Sequence, residues 1–129
     1  METINLARKF AQFSESWKPK ILGEINDTYI KAVKLNGEFV WHHHDNEDEM
    51  FLVTKGVLRM KIRPSPVNPG LDGVREQIIR EGEFIIVPRG VDHLPIADEE
   101  VHVILFEPKS TLNTGNIVNE RTVAQLERI

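Results

Sequence analysis

The sequence predicts an all-β fold with a short helix in front of it, on three observations. Short runs rich in β-branched and aromatic residues recur along most of the chain. Turn-forming residues separate these runs at close spacing, and a helical repeat of apolar residues shows only near the two ends. Many short strands with turns between them indicate a sandwich or barrel, and this pattern alone leaves several β architectures open.

The elements follow in order. Over residues 3–13, Leu6, Phe10 and Phe13 recur at three- and four-residue spacing, with Thr3 or Asn5 as the cap. Pro19 ends that helix, because the residue before a proline avoids helical geometry. Strands are expected over 20–25 and 29–35, with Asn26-Asp27 as the turn between them, and over 39–44. Asn36-Gly37 lies between the last two runs as a hairpin signal, since a type I′ turn needs positive φ at both central residues.

Residues 45–48 form a polar break, and strands resume over 49–54, 57–63, 74–80, 84–87 and 101–106. Residues 64–70 hold three prolines and read as an exposed loop, because proline has no N–H to give a sheet. Turns are expected at 81–83 and 98–100, and a short helix over 119–129. No internal repeat or boundary divides the chain, so residues 1–129 are expected to form a single domain.

Composition narrows the function. The 129 residues are enough for one hydrophobic core, with 40% hydrophobic and 28% charged residues. A net charge of -4 and the lack of a basic stripe argue against nucleic acid and anionic membranes as partners. The absence of cysteine excludes disulfides, thiolate ligands and cysteine nucleophiles. The first residues hold no basic segment followed by an apolar one, and no apolar run approaches spanning length, so a cytoplasmic protein is expected.

Chemistry concentrates on the histidines. Three of the five are consecutive, His42, His43 and His44. Side chains alternate along an extended chain, so His42 and His44 point one way and His43 the other. Two imidazoles on one face can chelate a single metal ion. Glu49 has the wrong parity for an unbroken strand, but a chain reversal over 45–48 brings it back beside them. Asp48 is the alternative carboxylate. His93, which follows Pro88-Arg89-Gly90, can enter from a neighbouring strand as a fourth ligand.

These residues resemble a known family. Gly37, four residues, His42-x-His44, four residues, Glu49, six residues and Gly56 are similar to the first cupin motif. Gly82, five residues, Pro88-x-Gly90, two residues and His93 are similar to the second. Among cupins, the chain resembles the small single-domain members of mannose-6-phosphate-isomerase-like type. The resemblance implies a double-stranded β-helix, or jelly-roll barrel, and metal ligands at His42, His44, Glu49 and His93. Two departures stand out: the first motif is one residue short before His42, and Ala97 replaces the Asn that usually closes the second.

Three imidazoles and a carboxylate suit Mn, Fe, Co, Ni or Zn rather than Ca. The resemblance puts Mn(II) or Fe(II) first, ahead of Ni(II), Co(II) and Zn(II). Two functions follow. One is a metal-dependent enzyme of dioxygenase or isomerase type acting on a small oxygen-bearing molecule, with the metal as Lewis acid or oxygen-activating centre. The other is a metal-dependent binding or sensing protein without turnover.

Other residues have plainer readings. His43 belongs at the surface or an interface. His102, in an apolar strand, reads as a partly buried core histidine, with an acid/base role as the alternative. Arg59, Arg75 and Arg89 read as solvated, with an anionic substrate as the alternative. The strand over 49–54 is apolar on both faces, so its outer face also needs cover, and a homodimer is expected.

Overall fold

The computed structural model describes residues 1–70 and 72–129. In chain order the elements are α1 (Leu6–Phe10), β1 (Lys20–Ile25), β2 (Thr28–Glu38), β3 (Glu49–Lys55), β4 (Leu58–Ile62), β5 (Arg75–Ile79), β6 (Phe84–Val87), β7 (His93–Pro108) and β8 (Glu127–Arg128). No helix among the described residues is long and apolar enough to cross a membrane.

The strands form one rolled sheet of jelly-roll type. Its path runs β5-β4-β7-β2-β1-β8, and β3 joins β7 on one side and β6 on the other. Hydrogen bonding does not close the sheet into a full ring among the described residues, so the barrel is open between its edge strands. Strand β7 organises the whole. It pairs with β2 from Pro108 to Ile96, with β4 through its first residues, and with β3 through its last.

Alternation along these strands builds two apolar layers. Val33 and Leu35 of β2, Phe51 and Val53 of β3, and Val101, Val103 and Leu105 of β7 face the interior together. On the opposite face Ala32 and Ile104 pack with Leu22 and with Phe10 of α1, while Leu52, Phe106 and Phe13 lie against them. The helix therefore exists to cover the sheet. Asn5 caps it by accepting a hydrogen bond from the Arg8 N–H at 3.0 Å. It is shorter than the expected 3–13, because so brief a helix has little stability of its own and persists where Phe10 is buried.

Four expectations are corrected. Asn36-Gly37 is not a hairpin: β2 continues to Glu38, and the register shifts at Leu35/Gly37, where Gly37 has φ 85°. The positive φ serves a β-bulge, because β7 offers a partner on both sides of this point. Residues 39–44 are consequently not a strand, and only His42 makes a bridge, to His93. The expected turn at 98–100 is an exposed stretch within β7, where that strand passes from β4 to β3. The expected helix over 119–129 is instead turns and β8, whose Glu127 and Arg128 extend the edge of β1 in parallel. Lys20, buried in β1, bonds Glu127 at 2.9 Å and favours that pairing.

The first hairpin is as expected. Ile25 pairs with Thr28 across a two-residue turn, and Asn26 has φ 51°.

If the outer layer depends on α1, Phe10→Ala should cost about 3 kcal/mol, typical of deleting a buried phenyl ring. Urea denaturation should show a lower midpoint at unchanged slope. A loss below about 1 kcal/mol would mean the helix is dispensable.

Candidate metal centre

His42 and His44 lie on an extended segment after β2, Glu49 opens β3, and His93 opens β7. Two backbone hydrogen bonds bring the first and last segments together, His42 N–H to the His93 carbonyl at 3.1 Å and His93 N–H to the His42 carbonyl at 2.9 Å. All four side chains are buried, at 2% exposure for His42, 4% for His44, 3% for Glu49 and 0% for His93. One donor atom from each lies within 4.8 Å of the others, a grouping that could hold a metal ion.

The donor atoms are prepared for that role. Nδ1 of His42 is 2.9 Å from the Val40 carbonyl, and Nδ1 of His93 is 2.8 Å from the Val91 carbonyl. A carbonyl only accepts, so each Nδ1 carries the proton and each Nε2 keeps its lone pair. Nε2 of His44 and of His93 lie 3.2 and 3.3 Å from Oε1 of Glu49. Those contacts lack hydrogen-bond alignment, and all three atoms are buried without a partner. Buried polar atoms left in this way are costly, and a cation accepting their lone pairs removes the cost. Nitrogen and oxygen donors without sulfur fit a first-row divalent ion.

Neighbouring residues separate along the lines of strand phase. His43 points away, with Nδ1 2.8 Å from Asp92 and Nε2 2.9 Å from Asp45. Asp48 is exposed, and its carboxylate accepts from the Arg89 N–H, so Glu49 is the carboxylate of the cluster. His102 stacks on Phe10 at 4.5 Å on the outer face and has no part in the cluster. Arg59 is paired with Glu76 and Asp98. Ala97 is fully buried in the inner layer.

Sequence reasoning missed Lys31 and Glu107. Both are buried, and Lys31 Nζ lies 2.6 Å from Glu107 Oε1. Glu107 lines the same small cavity as His42 and Glu49, a space of about 30 Å³ with Val33, Leu35, Phe39 and Phe51 among its walls. Its Oε2 has no hydrogen-bond partner. The available signal was parity: Lys31 shares the inward phase of Val33, and Glu107 that of Leu105. Trp17 stacks on Phe39 at 4.6 Å and forms another wall.

A C-terminal strap presses on the ligand run. Asn116 N–H donates to the His43 carbonyl, and His43 N–H donates to the Asn116 side chain, both at 2.9 Å. Between them Gly115 has φ 58°, and a Cβ there would lie 2.2 Å from the His43 carbonyl oxygen. Only glycine allows that approach.

The electrostatics follow from burial. Burial works to raise the Glu49 carboxyl, but the adjoining Glu107, His44 and His93 outweigh it and hold the group well below the usual carboxylate range. Glu107 is pushed well above that range by burial and by the Glu49 charge. His44 is raised, because Glu49 overcomes the effect of its burial. His42 is lowered from 6.5 to about 4, chiefly by burial and then by His93.

The His42 shift has a definite sign. Between pH 6.5 and about 4 the unfolded chain takes up a proton that folded His42 refuses, so its stabilising share is present above that window and lost as pH falls through it. His44 and Glu107, both raised, work in the opposite direction. The His42 share is therefore isolated by comparing the metal-free protein with His42→Gln. Urea denaturation between neutral and acid pH should show the variant losing about 2–3 kcal/mol less over the window. Identical pH slopes would refute the assignment.

Comparison with known proteins supports the fold. The cupin-domain family model matches residues 30–107. A cupin-2 domain protein from Shewanella frigidimarina is 36% identical, with TM-score 0.74, over 83% of this chain and 95% of its own. The Bacillus subtilis protein YdbB is 25% identical over 72 residues, and the match spans 56% of this chain and 56% of that relative. Hydroquinone 1,2-dioxygenase from Sphingomonas sp. TTNP3, in complex with 4-nitrophenol, shares the fold at TM-score 0.72 and 15% identity, over 84% of this chain and 33% of its own. With its family-model match extending over more than half of the sequence, the chain belongs to the cupin family.

Proposed function

We propose that this protein is a metal-dependent enzyme in which His42, His44, His93 and Glu49 hold one divalent ion, and that it acts on a small oxygen-bearing molecule in an oxidoreductase (dioxygenase-type) or isomerase reaction. The observation that carries this reading is the convergence of four buried side chains whose donor atoms have few or no partners in the protein. Mn(II) or Fe(II) is the first choice, with Ni(II), Co(II) and Zn(II) also compatible with the donors. A hydroquinone 1,2-dioxygenase of the same fold has been observed with Fe3+, which supports a transition metal here. Such an ion supplies Lewis acidity and, for iron or manganese, access to oxidation chemistry.

The chain's own residues complete the site. Val33, Leu35, Phe39 and Phe51 exclude water around the donors and strengthen every charge interaction inside. Glu107 places a carboxyl beside Glu49 with one oxygen tied to Lys31, and its free oxygen is suited to hold a proton for a bound hydroxyl group. One feature favours the second reading, a metal-dependent binding or sensing protein: the free space of about 30 Å³ admits little more than a water or a hydroxyl group before the walls move. Dioxygen uptake by the Fe(II)-loaded protein with a panel of phenols, hydroxy acids and keto acids, and sugar-phosphate interconversion by the Mn(II) form, separate the two. Binding without any turnover would favour the sensor.

The ligand set has a direct test. His44→Ala should weaken metal binding by more than the ~10–100-fold that losing an outer-shell partner costs, and His43→Ala by less than about tenfold. Competition against a chromophoric chelator reads both. Equal losses, with both variants folded, would contradict the inward phase of His44.

We also place this cupin in the cytoplasm as a homodimer. Phe84 and Ile86 of β6 are 59% and 55% exposed and sit in register with Leu52 and Met50 of β3, so the outer face carries an apolar patch beyond the reach of α1. Among the described strands β6 pairs only with β3, which leaves its other edge free. Sedimentation at micromolar concentration should give a dimer, and Phe84→Glu a folded monomer. A monomeric wild-type chain would end this reading.

A further inference from the structure

Glu107 lines the metal cavity, whereas its partner Lys31 lines a second and larger pocket of about 410 Å³. That volume falls within the range of small-molecule sites. Its polar wall comes from three places in the chain: Tyr29 and Lys31 on β2, Lys109 to Thr111 just after β7, and Arg128 on β8.

The charge there is unevenly answered. Lys109 Nζ, Arg128 and Lys31 Nζ lie 5.3, 5.4 and 5.8 Å from the centre of the Tyr29 ring, so three cations surround one side chain. Lys109 and Arg128 share a single half-exposed carboxylate, Glu24, at 2.8 and 3.6 Å. Lys31 is the floor, with its side chain only 1% exposed. An ammonium group has three N–H donors, and among the described residues Lys31 has one acceptor, Glu107. Thr111 adds a hydroxyl that is buried and has no partner. Buried donors of this kind are normally satisfied, and one further acceptor bearing negative charge would serve the spare N–H groups and the Thr111 hydroxyl together.

We propose that this pocket binds the acidic group, carboxylate or phosphate, of a small organic anion, through Lys31, Lys109, Arg128 and the Thr111 hydroxyl. Each oxygen of such a group accepts charge-assisted hydrogen bonds, which are stronger than neutral ones. The Tyr29 ring provides a flat wall for the rest of the molecule. The site is separate from the four-residue metal cluster, and the Lys31–Glu107 pair stands between the two. It does not depend on the metal reading.

The test uses the full chain loaded with Zn(II), which is diamagnetic, and two probes, inorganic phosphate and acetate, at constant ionic strength. Amide resonances of residues 109–112 and 126–128 should shift saturably with one or both probes, with Kd of about 1 mM. Phosphate alone or acetate alone identifies the acidic group, and either supports the site. Lys31→Met would strand Glu107 without its cation and is avoided because it risks unfolding. Thr111→Val preserves shape and Arg128→Gln lies at the surface, and each should weaken binding roughly fivefold to tenfold. No saturation by about 50 mM of either probe would overturn the proposal. So would affinities unchanged in both variants, since that result puts the anion elsewhere, such as on the metal.

Discussion

The paired backbone hydrogen bonds between His42 and His93 are the joint on which the centre is assembled. Each residue begins or belongs to a different motif, some fifty positions apart, and neither motif alone gathers a complete donor set. The bridge fixes the spacing of the two chains, and the two rings then lie with centroids 4.3 Å apart. Local carbonyls orient both rings through Nδ1, so the geometry of the donors is set by backbone rather than by flexible side chains. His43 reinforces the joint from outside, since its partner Asp92 immediately precedes His93.

Holding that joint in place requires the long strand β7. It starts at His93, runs past the bulge at Gly37, and ends beside β3 and β2, so a single strand carries the metal-site segment, the inner core and Glu107. The sheet it organises is apolar on both faces, and the two faces are resolved differently. The inner face closes on itself and walls the centre. The outer face is covered by α1 around Ala32 and Ile104 but not over Phe84 and Ile86. Coverage by a short helix is economical in residues and leaves a patch the size of a strand.

The interior also contains more charge than a metal site requires. Lys31 and Glu107 are both buried, and isolated buried charges are strongly unfavourable. They are tolerated as a close pair, while burial and the neighbouring Glu49 charge favour a proton on Glu107. This pair separates the small, mostly apolar cavity at the four-residue cluster from the larger polar pocket lined by cations. The strap over 110–123, beyond the residues matched to the family model, adds Asn113 to the first compartment and Gly115 against the ligand run.

Local physics made much of this legible. Alternation along an extended chain decides which of three consecutive histidines turns inward, and the resemblance of the glycine, proline and histidine spacing to the cupin motifs points to the four clustered residues before any fold is known. The same local rules misread Asn36-Gly37, the stretch at 98–100 and the C-terminal tail. A bulge and a hairpin both use a positive φ, and only a partner strand on both sides of the glycine selects the bulge. Residues 98–100 carry three acidic side chains that look like a turn, yet the β2 pairs on either side of them, Gly37 with Ala97 and Leu35 with Val101, keep them within a strand. The tail extends β1 because that edge, and Lys20, were free to receive it. Lys31 and Glu107 were readable as inward-facing charges, but nothing nearby in sequence could pair residues on strands so far apart. The sequence by itself determined the fold class and the members of the four-residue cluster, because strand phase and motif spacing are short-range properties. Tertiary structure decided the bulge, the strap, the buried ion pair and the second pocket, because each depends on contacts between segments that meet only when the sheet has rolled.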